Sequence, residues 1–169
     1  MLSKEESNRT AEFLLTNPIS RVRIVTEKGL SIITQLVIFN AVVIAFSCLG
    51  ILILGESADW GNLMLFHVAE FVLQLEIAGI CFGVSAFIKR GNIGIGLGLA
   101  TCFYFINIMS NITDKAEFLK YLTPFSYTEA SYIFTEGSLE IKYLFVGIVV
   151  GIIGIICSYV MYLKKDIQA

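Results

Sequence analysis

Four residues able to handle a proton or a polar ligand crowd into one apolar stretch of the 169-residue chain: His67, Glu70, Gln74 and Glu76. A carboxylate at mid-bilayer costs about 2.5–3.5 kcal/mol on insertion scales, so two in one helix need a reason. At 100° per residue, His67, Glu70 and Gln74 share one face and Glu76 points almost oppositely. Two readings follow. In one, Glu70, Gln74 and Glu76 line a polar pathway or meet a substrate or proton. In the other, Glu70 is hydrated near the surface and Glu76 is neutral and paired with a neighbouring helix. His67 is the single histidine and falls near the expected outer boundary, so no metal site is expected.

Other chemistry is missing from the sequence. There is no GxSxG nucleophile motif and no GxxxxGK[ST] loop, so the chain is not expected to be an enzyme or to hydrolyse ATP by that route. Cys48, Cys81, Cys102 and Cys157 lack the spacing of a zinc site or a disulfide framework, and all fall in apolar runs, which reads as small buried hydrophobes. Asn8-Arg9-Thr10 and Asn111-Ile112-Thr113 fit the glycosylation acceptor pattern. The first falls on the expected cytoplasmic side and the second at a membrane boundary, so neither is read as a site. No basic tract suggests nucleic acid.

The elements that hold these residues are membrane helices. The chain is 56% hydrophobic and 15% charged, against roughly 45–50% and 25% for a soluble domain. Residues 29–55, 91–113 and 143–163 contain no charge. Each run meets the length of about 20 residues needed to cross the hydrocarbon core. Spans are expected at about 30–54, 62–88, 92–113 and 142–163. The second is long enough only if it reaches back to Leu63, with Trp60 as an interfacial anchor. Four spans put both termini on one side with Lys4, Arg9, Arg21, Arg23, Lys28, Lys89, Arg90, Lys164 and Lys165, nine of the twelve basic residues. Basic residues favour the cytoplasmic face, so both termini are expected there. The first residues are polar and do not read as a signal peptide.

Residues 114–140 form the long outer loop. Phe118, Tyr121, Leu122 and Phe125 recur at helical spacing, Pro124 interrupts, and a second amphipathic stretch runs to Gly137, a plausible helix stop. This predicts two short helices at the outer membrane surface. Gly79/Gly83, Gly94/Gly98 and Gly147/Gly151 have the spacing that lets helix backbones approach in lipid. They read as packing sites of a helix bundle.

Ahead of the first span, "RTAEFLLTNPISRVRIV" occupies residues 9–25. Ser3 and Glu6 match a capping box. Ala11, Phe13, Leu14 and Leu15 give an apolar stripe, which Asn17-Pro18 breaks. Asn17 as N-cap and Pro18 at the first helical position predict a second helix leading into the membrane. The result is a bent elbow, residues 1–29. It serves equally well as an interfacial anchor or as an element that transmits a push from a soluble partner.

The same residues resemble the cytoplasmic coupling-helix segment of permease subunits in ABC transporters of the ABC-2, export-type family. Thr10, Glu12, Phe13, Leu14, Leu15, Thr16, Pro18, Ile19, Ser20 and Arg21 occupy the matching positions. "FLKYLTPFSYTEA" is similar to the segment before the last span of such permeases, and "GVSAFIKR" to a helix end followed by a basic turn. Subunits of that family typically have six spans, and this chain is similar to their last two-thirds.

The resemblance implies a cytoplasmic ATP-binding subunit that grips the elbow through Thr10, Glu12, Phe13, Leu14, Pro18 and Arg21. It also implies a second permease subunit, identical or not, with ATP-Mg on the partner and no cofactor on this chain. The expected fold is all-α and integral to the plasma membrane: a single domain of four transmembrane helices preceded by a cytoplasmic coupling elbow, with short outer amphipathic helices before the last span. The leading function is the permease subunit of an ATP-driven exporter of a drug, peptide or lipid-like substrate. The alternatives are a non-transporting immunity or assembly factor derived from a permease, and a proton-coupled carrier using Glu70 and Glu76.

Overall fold

The computed structural model describes residues 20–55, 57–88, 93–112 and 114–164. All regular structure among them is helical: α1 (Arg21–Leu54), α2 (Trp60–Phe87), α3 (Ile93–Ile112), two 3-10 segments (Asp114–Tyr121 and Pro124–Thr128), α4 (Ala130–Glu136) and α5 (Ile141–Lys164). Helices α1, α2, α3 and α5 are long and apolar enough to cross a membrane.

Helix α1 begins later than the Asn17-Pro18 signal suggests. Ser20 is extended (φ −68°, ψ 144°), and its hydroxyl accepts from the Arg23 amide at 3.3 Å. That bond satisfies one of the first-turn donors, so Ser20 is the N-cap and the helix starts at Arg21. From there it runs unbroken for 34 residues, about 50 Å at 1.5 Å per residue. This exceeds a hydrocarbon core of about 30 Å, so the end carrying the exposed Arg23–Glu27 ion pair (2.7 Å) projects beyond it. Gly55 closes α1 in the left-handed conformation (φ 67°). Asp59 opens α2 by accepting from the amides of Gly61 and Asn62.

Packing concentrates on one parallel pair, α2 and α5. The buried stripe of α2 is Ala69, Leu73, Glu76, Gly79, Gly83 and Ala86. That of α5 is Tyr143, Gly147, Gly151, Ser158 and Tyr162. Both follow the three-to-four spacing of a helix face. The backbones touch where the glycines meet. A Cβ placed on Gly79 would lie 2.8 Å from the Gly151 carbonyl oxygen, and one on Gly83 would lie 2.6 Å from that of Gly154. Small residues permit this approach, and it supplies the van der Waals contact that holds helices together in lipid. The glycine spacings of α2 and α5 thus mark a real crossing, with Gly154 as an added member. Gly98 of α3 faces open space.

Two small cores close the ends of this pair. At one end Ile24 and Val25 of α1 pack with Phe82, Ala86 and Tyr162. At the other, Ala69 and Leu73 pack with Tyr127, Ile133 and Tyr143. The beginning of α1 and the end of α5 therefore share one end of the bundle, and the segment joining α3 to α5 closes the other.

That joining segment departs from the expectation of helices lying on a surface. Phe118, Tyr121 and Leu122 are at least half exposed, as such helices would leave them. Pro124, Ser126, Tyr127 and Thr128 instead turn inward and are buried. Thr123 steers the turn: its hydroxyl donates to the Phe103 carbonyl of α3 at 2.9 Å and accepts from the Phe125 amide. Ser126 donates to the Lys120 carbonyl at 2.8 Å. Gly137 ends α4 in the left-handed conformation (φ 62°), as its position in the sequence suggests. The cysteines are unpaired, but none is buried: Cys102 is exposed and the others are half-buried. They lie on apolar faces turned partly outward instead of inside a core.

The crossing makes a direct forecast. Gly83→Leu forces a side chain into the Gly154 backbone and should lower stability in detergent micelles by about 1–3 kcal/mol. Gly98→Leu, at an open position, should stay within about 0.5 kcal/mol. Thermal unfolding followed by circular dichroism reads both.

Candidate functional site

The polar residues of α2 do not converge on one face of a cavity; the structure sends them to different neighbours. Gln74 turns to α1, where its side-chain carbonyl accepts from the Asn40 amide at 2.6 Å. Asn40 also donates to the Leu36 carbonyl of its own helix. Glu70 is half-buried and lies toward the joining segment, within electrostatic reach of Tyr127. His67 is buried with Nε2 unpartnered, its ring 5.9 Å from that of Phe66.

Glu76 is the residue that meets α5. It is 3% exposed and lies on the same stripe as the seam glycines. Its carboxyl group occupies the space over Gly147, and any Cβ there would overlap it. Its backbone rests on Gly151, where a Cβ would lie 3.2 Å from the Glu76 Cα. Neither carboxyl oxygen completes a hydrogen bond. Its polar neighbour is the phenol of Tyr127, 1% exposed, close enough to interact with the carboxyl group though not in ideal hydrogen-bond geometry. Burial pushes the Tyr127 phenol above its ordinary range.

Tyr127 was invisible as a partner of Glu76 because the two are 51 positions apart and Tyr127 belongs to a loop. Gly147 was readable as a packing glycine but not as the floor under a carboxylate. The signal for both existed in α2: Glu76 sits three residues before Gly79 on the Ala69–Leu73–Gly83–Ala86 stripe, so whatever meets those glycines also meets Glu76.

A second feature lies between α1, α2 and α5. An apolar groove of about 370 Å³ is lined by Thr26, Leu30, Ile33, Gly79, Phe82 and Tyr159, among others. At one end the hydroxyls of Thr26 and Tyr159 share a hydrogen bond of 2.9 Å. Thr26 also donates to the Val22 carbonyl. Among the described residues no cluster of His, Cys, Asp and Glu could hold a metal ion.

The elbow residues Thr10, Glu12, Phe13, Leu14 and Pro18 lie outside the described residues, as does the side chain of Arg21. Only the backbone of Arg21, as the first residue of α1, is described.

The family model for the ABC-2 family transporter protein matches residues 1–167. The chain belongs to the ABC-2 transporter family. No curated protein and no solved structure matches it. As an ABC-2 family member with four membrane-spanning helices, the chain is a multi-pass permease component of an ABC transporter. Such a component works with an ATP-binding subunit and is a transport subunit. In this ABC-2 protein the buried carboxylate and the buried imidazole, Glu76 and His67, both belong to α2, the helix that touches α1, α5 and the joining segment.

The Gly147–Glu76 contact predicts a coupled pair of mutations. Gly147→Ala should destabilise the chain by pushing on the carboxyl group, and Glu76→Ala should remove the obstacle. In a double-mutant cycle of micelle unfolding, the two should be non-additive by roughly 0.5–3 kcal/mol, the range for groups in contact. Simple additivity would mean the carboxyl group does not rest on Gly147.

Proposed function

We propose that the chain is the transmembrane permease subunit of an ATP-driven exporter in the plasma membrane, acting with a separate ATPase subunit and a second permease subunit. Both termini lie in the cytoplasm. ATP-Mg binds the partner, which grips the elbow at Thr10, Glu12, Phe13, Leu14, Pro18 and Arg21. The transported substrate is a drug, a peptide or a lipid-like molecule.

The observation that carries this reading is the family match over residues 1–167. The physical support is the way α1 begins. The last residues of the elbow are part of the same unbroken helix that is long and apolar enough to span the membrane. Ile24 and Val25 are buried against Phe82, Ala86 and Tyr162, and Thr26 is bonded to Tyr159. A push on the elbow therefore reaches α2 and α5 within two helical turns. The basic residues gathered at this end, Arg23, Lys28 and Lys164 among them, favour the cytoplasmic side. Nucleotide drives transport only if the loaded ATPase binds the two arrangements of the permease unequally, and a helix joined directly to the grip provides the connection.

A mild-detergent pull-down of the tagged chain from its native membrane tests the reading. A P-loop ATPase should co-purify, and its recovery should fall at least about tenfold, the effect of losing roughly 1.4 kcal/mol of binding, in Arg21→Glu and Glu12→Lys. Membrane insertion should be unchanged in both. Recovery of the chain without an ATPase, or retention of the ATPase by both variants, would overturn it.

A further inference from the structure

The carboxyl group of Glu76 is buried by this chain, and the one hydrogen-bonding group it meets is the Tyr127 phenol, which brings no counter-charge. Gly147 and Gly151 of α5 lie beneath it and carry no side chain. The joining segment contributes Tyr127. Helix α2 itself contributes Glu70, which acts on Tyr127. Helix α1 meets α2 nearby through Asn40 and Gln74, which do not titrate. No cation from any of these elements faces Glu76 among the described residues. An ionised carboxylate in such a place has lost its water and gained no counter-charge, an arrangement that proteins avoid.

The geometry also decides what could bind there. A hard metal cation needs six or more oxygen ligands. Here one carboxyl group and one phenol converge, and no other acidic residue or histidine joins them in a metal-holding cluster among the described residues. On the side of Gly147 the carboxyl group already fills the space that a side chain would take. A proton needs no volume and cancels the charge outright.

We infer that Glu76, with Tyr127 beside it and Gly147 beneath it, is a proton-binding site whose occupancy is tied to closure of the α2–α5 crossing. With the proton bound, the neutral carboxyl group fits the glycine groove and the joining segment seats Tyr127 against it. When the proton leaves to water, Glu76 gains a negative charge that requires solvent. The groove admits solvent only if α2 and α5 part near Gly147 or Tyr127 swings out. Closure thus takes up one proton and opening releases it. The sign follows: the closed form binds the extra proton, so low pH favours closure, and rising pH favours opening by at most about tenfold per pH unit for one proton. This holds for the chain by itself and does not depend on the ATPase partner, so its test is separate from the pull-down above.

The test uses the full chain in lipid nanodiscs, without a partner. Infrared spectra taken across a pH series report the carbonyl stretch of a protonated carboxylic acid. At neutral pH that band should be present, move when the chain carries ¹³C-glutamate, vanish in Glu76→Gln, persist in Glu70→Gln and shift in Tyr127→Phe. The isotope measurement needs no variant and so stands even where Glu76→Gln fails to fold. A pulsed dipolar measurement between spin labels at Glu136→Cys and Val160→Cys, in a chain lacking its native cysteines, then follows the joining segment against α5. Raising the pH should broaden that distance distribution in the parent chain and leave it narrow in Glu76→Gln. Absence of a Glu76-dependent protonated band at neutral pH would overturn the site. A band that resists titration, or a distance distribution that ignores pH, would overturn the link to closure.

Discussion

In a bilayer, apolar side chains gain nothing by leaving lipid for one another, so helices associate through close contact and polar bonds. The crossing of α2 and α5 is where this chain meets that constraint. Gly79 and Gly83 set their backbone directly on Gly151 and Gly154, and every other contact in the bundle is arranged around that line. The two cores sit at its ends. Helix α1 joins one side through Asn40–Gln74 and Thr26–Tyr159. The joining segment closes the end opposite the start of α1 by inserting Tyr127. Helix α3 is the exception. It packs mainly on the segment that follows it and only lightly on α2.

A glycine seam has a cost that the same structure reveals. Removing side chains to bring backbones together leaves no groups to satisfy whatever polar residue falls on the stripe. Glu76 falls there. Its burial and the thinness of α5 beneath it come from one cause, and the nearest hydroxyl had to be supplied from a loop, by Tyr127. The hydrogen bonds of Thr123 and Ser126, which fold that loop inward, are therefore as much a part of the Glu76 environment as the helix that carries it.

Much of the architecture was legible in the sequence because membrane helices are written in composition. Runs without charge gave four long helices, and Gly137 ended α4 where expected. The family resemblance, carried by residues 9–25 and 118–130, agrees with the family match over residues 1–167. What the sequence hid was pairing. Helical phase correctly turned Glu76 away from Gln74, but phase has no memory of which helix stands opposite. Asn17-Pro18 was the start signal read from the sequence, yet Ser20 supplies the capping bond of α1. The inward turn at residues 124–128 was missed because an amphipathic pattern reads alike whether its apolar face meets lipid or a protein interior.

Helix α1 is held unevenly along its length. Its first turns are wedged into a core at Ile24 and Val25, and Asn40 ties it to α2 near its midpoint. Beyond that point Phe46, Ile53 and Leu54 are 70%, 83% and 76% exposed. The helix is therefore a rod with a fulcrum: from Asn40 to Leu54 it extends about 20 Å with little protein against it. Any rotation imposed at its start is carried to the far leaflet as a sideways sweep through lipid. The composition and thickness of the surrounding bilayer become the load against which that rod works.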